Sequence, residues 1–409
     1  MFYNFLENIG LFIRIFFQYV KYKINIIDFN TMIKIICNDL SKTNIFYLKC
    51  FQWGIQDIYN IDQELKCYFN NYYDNVPYSY DDIDYSILEK IPKLVKYEFK
   101  FDNDNYKPIN SGTVALVFKG MFYNKPVAIK MLRKNIKQKI KSGINNIINL
   151  VNIILYILTF FYEIKIDIVD LIKNNEQLLL EQCNFENEIK NLELFKDCMK
   201  NNTHIIIPEV YNEFKILSDD IIVMDFLEGK IMNKIPINQL KKYNHLLRSF
   251  IFESILSHKL IHADLHLGNI LILNDDKIGI IDFGLVIKNS KEFTDNVFYI
   301  LLGLKNSNNK LIINKLIQAI IINKDDIPYV RDHLNEHCDL ICESLENVST
   351  KEMLQIIKLI QSIKVKINPM LCNNLLSILS SLTMVEKIGE NRPLKELFNE
   401  FVNGSNLKC

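Results

Sequence analysis

One stretch of the sequence carries most of its chemistry: His262-Ala-Asp-Leu-His-Leu-Gly-Asn269, then Ile270-Leu-Ile-Leu273, then Ile280-Ile-Asp-Phe-Gly284. Asp264 and Asn269 stand in an Asp-x4-Asn spacing, the apolar runs read as a short hairpin, and Asp282 follows Asp264 by 18 residues. These residue types in this order suit phosphoryl transfer. A carboxylate at 264 can orient an attacking hydroxyl and accept its proton, while Asn269 and Asp282 offer the hard oxygen ligands that Mg²⁺ prefers. Gly284 permits a tight turn directly after a ligand.

Three upstream pieces fit the same chemistry. Pro108 to Gly120 places small residues (Ser111, Gly112, Thr113) in a turn before a β-rich run that keeps Ala115, and small residues let backbone N–H groups approach phosphate oxygens. Lys125-Pro-Val-Ala-Ile-Lys130 alternates as a strand and ends in a lysine, the pattern in which protein kinases hold the α/β-phosphates of ATP. Phe185 to Asn191 reads as a helix that could supply a glutamate to pair with that lysine; Glu186 and Glu188 both qualify on composition. The order of turn, strand lysine, glutamate helix and Asp/Asn/Asp string predicts a kinase-like α+β fold of two lobes.

The segment HADLHLGNILILNDDKIGIIDFGLV resembles the UbiB/AarF atypical kinase family, also called ADCK-type. PINSGTVALVFKG resembles that family's Ala-rich nucleotide loop, and FENEIKNLELF its Glu-x-x-Asn helix, a likeness that selects Glu188 over Glu186. IIVMDFLEGKIM resembles its hinge, with Met224, Asp225 and Gly229 matching. Lys49-Cys-Phe-Gln52 and Asp74-Asn-Val-Pro77 resemble its N-terminal Lys-x-Gly-Gln extension, which implies a regulatory role for Lys49 and Gln52. The C-terminal Ile367-Asn-Pro-Met and the helix around Glu386 also resemble the family. The likeness spans about residues 40 to 400. It implies Mg²⁺ and ATP as cofactors, with Asp264, Lys130 and Glu188 catalytic, Asn269 and Asp282 on the metal, and Ser111, Gly112, Thr113, Ala115, Lys130 and Met224 around the nucleotide.

The chain departs from that pattern in places. Phe51 replaces the glycine of Lys-x-Gly-Gln, Ile55 and Asp57 stand where the family has Ser and Arg, and the loop has Gly112 and a single alanine. In the family, the extension and the Ala-rich loop are implied to restrain protein-kinase activity, so these changes bear on regulation. No Ala-Pro-Glu segment follows Asp282-Phe-Gly284; a helix-like run starts at Lys291. An extended platform for a peptide substrate is therefore not expected.

The remaining sequence sets bounds. The chain has 409 residues, 48 basic and 48 acidic, and zero formal net charge, which gives no electrostatic reason to expect a nucleic-acid partner. A hydrophobic fraction of 49% excludes wholesale disorder. Nine irregularly spaced cysteines suit a reducing, intracellular compartment better than a disulfide framework. The chain holds 65 Ile, 48 Asn and 43 Lys but only 5 Arg and 4 Ala. Such a bias points to an A/T-rich genome, for example that of a giant virus, a protist or a low-GC bacterium.

Leu11 to Val20 is interrupted by Arg14 and is too short for a membrane span of about 20 residues. It reads as an amphipathic helix that packs on the protein or lies on a membrane surface. Ile144 to Tyr162 is apolar but holds four Asn, and reads as a buried or interfacial helix rather than a span. Tyr72 to Tyr85 reads as an exposed connection. His333, His337, Cys338 and Cys342 form two i,i+4 pairs, but successive helix positions diverge by about 100°, so these four do not converge on one metal ion.

The expectation is a helical extension over residues 1–100, a kinase-like N-lobe over 101–228 with a helical insert at about 135–180, and a mostly helical C-lobe over 229–409. The expected function is that of a Mg²⁺- and ATP-dependent UbiB-like kinase or ATPase acting on, or beside, a lipid or isoprenoid-related target, with nucleotide and a lipid or membrane surface as partners. A non-catalytic nucleotide-binding scaffold of a membrane-associated complex is the alternative. A small-molecule phosphotransferase of the aminoglycoside or choline type would explain the central string but none of the upstream matches.

Overall fold

The strands Ala115–Phe122 and Lys125–Leu132 form an antiparallel hairpin in full register from Ala115↔Leu132 to Phe122↔Lys125. Tyr123 and Asn124 between them have φ of 46° and 61°. Positive φ at both central residues belongs to the turn whose twist matches that of a hairpin. Phe99–Phe101 pairs with the first strand and Ile221–Asp225 with the second, giving the order Phe99–Phe101, Ala115–Phe122, Lys125–Leu132, Ile221–Asp225. Asn110–Ser111 also pairs with Ala115–Phe122. Alternate side chains of these strands (Leu116, Phe118, Val127, Ile129, Met131, Val223) close on Phe99, Phe101 and Phe214 as one core.

This computed structural model describes residues 2–44, 46–47, 64–65, 68, 76–95, 98–102, 105–158, 176, 180–321, 323–347, 355–356, 359, 362–363, 369–389 and 393–404. The chain divides into two units. The first holds residues 1–189 and 209–226; the second holds 190–208 and 227–409.

The first unit adds helices to the sheet. Phe2–Lys23 is amphipathic, and Phe29–Thr43 is capped by Asp28, whose carboxylate accepts from Thr31 N at 2.6 Å. Ile136–Leu158 buries Ile136, Ile140 and Ile144 at i,i+4 spacing and carries the first part of the long apolar run; residues 159–175 lie outside the described residues. Among the described residues no helix is long and apolar enough to cross a membrane.

The second unit has a four-stranded sheet, ordered Ile205–Ile206, Ile278–Ile280, Ile270–Ile272, Lys230–Ile231. The Ile270–Ile272 and Ile278–Ile280 strands form the expected hairpin, turned by Asp275 and Asp276 with φ of 58° and 55°. A two-stranded ribbon pairs Leu260–His262 with Val286–Lys288. Its helices include Asn244–Phe252, Lys291–Lys305, Asn309–Ile320, Ile327–Glu336, Cys338–Asn347, Pro369–Ile388 and Leu394–Gly404. A sheet-based unit and a mostly helical one make the α+β class of the kinase-like fold.

Candidate functional site

The site residues fall into two groups, one in each unit. In the first unit, Lys130 leaves the central strand Lys125–Leu132 toward the helix Phe185–Cys198. Its Nζ lies 2.5 Å from Glu188 Oε1, and the side chains are 13% and 1% exposed. The Lys130 ammonium also sits 5.5 Å from the Phe185 ring centroid. Glu186, two positions before Glu188 and so about 200° round the helix, is exposed. Burying a lone carboxylate is costly, so Glu188 depends on a cationic partner as much as Lys130 is held by it.

The Ser111–Thr113 turn is organised by a residue that no motif pointed to. Arg133 is 1% exposed and follows the Lys130 strand by one residue. Its Nε donates to Gly112 O at 3.0 Å; Nη1 donates to Pro77 O at 3.1 Å and Asp82 Oδ2 at 2.8 Å; Nη2 donates to Ser111 Oγ at 2.9 Å and Val76 O at 3.4 Å. All five guanidinium N–H donors are thus placed. Asp82 is shared with Lys139, whose Nζ lies 2.7 Å from Oδ1. Burial alone would push the Asp82 carboxyl up, but the Lys139 and Ser79 hydrogen bonds and the Arg133 charge hold it below the usual carboxylate range.

This network revises one expectation. Tyr72 to Tyr85 is not simply an exposed connection, because Val76, Asp82 and Ile83 are buried and the carbonyls of Val76 and Pro77 serve Arg133. Ser111, expected near phosphate, is buried, and its hydroxyl donates to Val76 O at 2.7 Å. Its side chain braces the turn. Gly112 N donates to Ala115 O at 2.9 Å, Thr113 sits half-buried at the tip, and Ala115 opens the strand opposite Leu132. Met224 is a buried residue of the Ile221–Asp225 strand, paired with Ala128. Beyond it, Asp225 Oδ1 accepts from the Tyr211 hydroxyl at 2.8 Å and Oδ2 from Glu209 N at 3.0 Å. Burial and the Asp225 hydrogen bond push the Tyr211 phenol up to about 12, so it remains a donor. Lys49 and Gln52 lie outside the described residues.

In the second unit, backbone and side-chain hydrogen bonds fix the Asp264–Asn269 loop and the Asp-Phe-Gly turn. Asn269 Nδ2 donates to Asp264 O at 3.1 Å, which assigns the amide oxygen as its acceptor face. Gly284 N donates to Asp282 Oδ1 at 3.0 Å. His266 Nδ1 accepts from Gly268 N at 3.1 Å, so this ring caps the turn before Asn269. The oxygen donors of Asn269 and Asp282 fit Mg²⁺ in kind, and these two residues could hold it.

Two further residues, both within the quoted motifs, hold the backbone at Asp282 and Phe283. His262 is 4% exposed among the rings of Phe195, Phe250 and Phe283, and its Nε2 lies 2.6 Å from Asp282 O. A carbonyl only accepts, so Nε2 carries the proton. Burial lowers the imidazole's pKa, more than the neighbouring Asp282 carbonyl and carboxylates raise it, so the ring is held neutral. Asn191 donates from Nδ2 to Phe283 O at 3.0 Å, a bond within the second unit. His262 opens the quoted string, but nothing local signals that its partner is a carbonyl 20 residues on.

A family model for the ABC1 atypical kinase-like domain matches residues 72–316, more than half of the chain. The chain is 23% identical over 239 residues to Protein ACTIVITY OF BC1 COMPLEX KINASE 8, chloroplastic, from Arabidopsis thaliana, covering 56% of this chain and 31% of the relative. It is 25% identical over 234 residues to an uncharacterized aarF domain-containing protein kinase, chloroplastic, from the same plant, covering 53% of this chain and 41% of the relative. The chain thus spans well under half the length of these relatives. Among solved structures, the complex of Rv3197 with erythromycin from Mycobacterium tuberculosis matches with a TM-score of 0.51 at 18% identity, covering 78% of this chain and 82% of that one, a likeness of fold. The motif resemblance and the family match agree: the chain belongs to the ABC1 atypical kinase-like family, which includes the AarF domain-containing kinases.

Proposed function

We propose that this protein is a Mg²⁺- and ATP-dependent atypical kinase or ATPase that acts on, or beside, a lipid or isoprenoid-related target rather than on protein side chains. The observation that carries this reading is the buried Lys130–Glu188 pair at 2.5 Å, which fixes an ammonium for phosphate contact. Asp264 accepts the proton of the attacking hydroxyl, and Asn269 and Asp282 present oxygens to the metal. Bound Mg²⁺ supplies positive charge against the phosphoryl oxygens. His262 and Asn191 hold the backbone at Asp282 and Phe283, so the metal-binding carboxylate starts from a fixed position.

Two features support a non-protein target. After Gly284 the chain passes through the short strand Val286–Lys288 straight into the helix Lys291–Lys305, whose first turn is capped by Ser290 Oγ accepting from Phe293 N at 3.1 Å. That leaves six residues, 285–290, where a peptide platform would have to lie. The helix Phe2–Lys23 exposes Ile13, Phe16 and Phe17 by 51%, 61% and 57%, beside Arg14, Lys21 and Lys23. An apolar stripe edged by basic residues suits an anionic lipid surface.

Mg²⁺-dependent ATP hydrolysis by wild type and Asp282→Asn, each with and without vesicles of anionic phospholipid, tests this. The expectation is turnover in wild type, stimulated by vesicles, and a fall of about 10²-fold or more in Asp282→Asn. Equal background rates would instead favour the nucleotide-binding scaffold.

A further inference from the structure

A second cation site stands apart from the phosphotransfer residues, at the corner where Ile327–Glu336 ends and Cys338–Asn347 begins. His333 lies in the last turn of the first helix, Glu336 is its final residue, and His337 is its C-cap. Each of the three can offer one donor atom so that all lie within 4.8 Å of one another. The two imidazole centroids are 5.0 Å apart. Val330, Leu334 and Ile341, all buried, anchor the corner from beneath.

The hydrogen bonds around the rings assign their tautomers. His337 Nδ1 lies 3.0 Å from His333 O, and a carbonyl only accepts, so Nδ1 carries the proton and the Nε2 lone pair points elsewhere. His333 Nε2 lies 3.0 Å from Ser362 Oγ, whose own proton goes to Leu359 O at 2.7 Å. Nε2 is therefore the donor there, and Nδ1 keeps its lone pair. Each ring thus spends its N–H on a neighbour and keeps one lone pair, which is how metal-ligating histidines are oriented. The helix end adds the negative pole of its dipole. Cys338 and Cys342 are not among the residues whose donor atoms converge here.

We propose that His333, Glu336 and His337 bind a divalent transition-metal ion of the Zn²⁺ class, joining the end of one helix to the start of the next and leaving at least one coordination position to water. Two imidazoles and a carboxylate suit Zn²⁺, Co²⁺ or Ni²⁺ and do not suit Mg²⁺. The site is thereby chemically distinct from the all-oxygen pair of Asn269 and Asp282. It was hidden in the sequence because the eye follows Cys338 and Cys342, whereas the third ligand is Glu336.

The test titrates metal-free full-length protein with ZnSO₄ by calorimetry and with CoCl₂ by visible absorption, both in excess MgCl₂ and without nucleotide. One equivalent of each ion is expected to bind, Mg²⁺ failing to compete, and the Co²⁺ spectrum showing d–d bands without a thiolate charge-transfer band. His333→Ala and His337→Ala should each weaken binding by well over tenfold. Glu336→Gln, an exposed change that leaves folding intact by circular dichroism, should weaken it, and Ser362→Ala should weaken it by about tenfold through the lost orienting bond. One-equivalent binding that survives in Glu336→Gln and His337→Ala alike, a thiolate charge-transfer band, or no stoichiometric binding by wild type would each overturn the proposal. None of these readouts depends on ATP turnover.

Discussion

Lys130 and Arg133 are three residues apart at the end of one hairpin strand, both cationic and both largely withdrawn from water, yet they do opposite work. Arg133 spends all five donors on fixed acceptors of the protein: three carbonyls, one carboxylate and one hydroxyl. Lys130 meets a carboxylate on a helix and an aromatic face. A planar guanidinium is preorganised for a rigid cage, whereas an ammonium with rotatable donors can share itself between Glu188 and an incoming phosphate. The strand therefore carries one charge that builds the turn and another that the proposed function assigns to a nucleotide phosphate.

Separating stability from activity at these two positions breaks or sharpens that contrast. Arg133→Ala should cost about 3–5 kcal/mol, because it leaves buried carbonyls and Asp82 short of their donor. Lys130→Ala should cost less, about 1–3 kcal/mol, since Glu188 can take up a proton, while lowering ATP turnover by about 10²-fold or more. Urea denaturation and initial rates on both variants decide it; a reversed order of stabilities would dissolve the distinction.

A smaller effect concerns the other unit. His262 is buried with its pKa lowered by desolvation, and an unfolded histidine titrates near about 6.5. The unfolded chain takes up a proton that the folded one refuses, so His262 contributes stability above that value and loses it as pH falls toward the folded pKa. Stability should decline below about pH 6.5 by up to about 1.4 kcal/mol per pH unit. His262→Gln should flatten this slope in denaturation midpoints measured across the range; an unchanged slope would assign it elsewhere.

The smallest effect is at the turn. Gly112 does not use positive φ, and a Cβ there would meet Ala115 O at 3.4 Å. Gly112→Ala should stabilise by about 0.4–1 kcal/mol through the unfolded state. A clear loss in melting temperature would mean that the Arg133 cage tolerates no added atom at its Gly112 carbonyl.

The fold class was legible because four short pieces keep their residue types and their order, and because alternation in Ala115–Phe122 and Lys125–Leu132 marks the central hairpin. Lys130 could be paired with a glutamate of the helix after the insert, and the family resemblance rather than composition chose Glu188 over Glu186. What stayed hidden depends on distance in the chain. Asp82 read as part of an acidic, aromatic surface piece, and only Arg133, 51 residues on, makes it a buried partner. Arg133 itself had one cue, its rarity among 48 basic residues of which only 5 are arginine. Asn191 and His262 were within quoted motifs, but their partners are backbone carbonyls, which no pattern of side chains announces.

The Arg133 cage also sets how the molecule breathes. Its acceptors at Val76, Pro77 and Asp82 precede it by 57, 56 and 51 residues, and those at Ser111 and Gly112 by 22 and 21. None of these segments can lift away without stranding donors in the interior, so they open together or not at all. The hydrogen-bonded amide protons of Val76, Asp82, Ile83 and Gly112 are expected to exchange with solvent at a common rate, as one unit. The stretch before the sheet is thereby part of the machinery that presents the turn, and a chain begun at residue 100 would leave three of the five guanidinium donors without their acceptors.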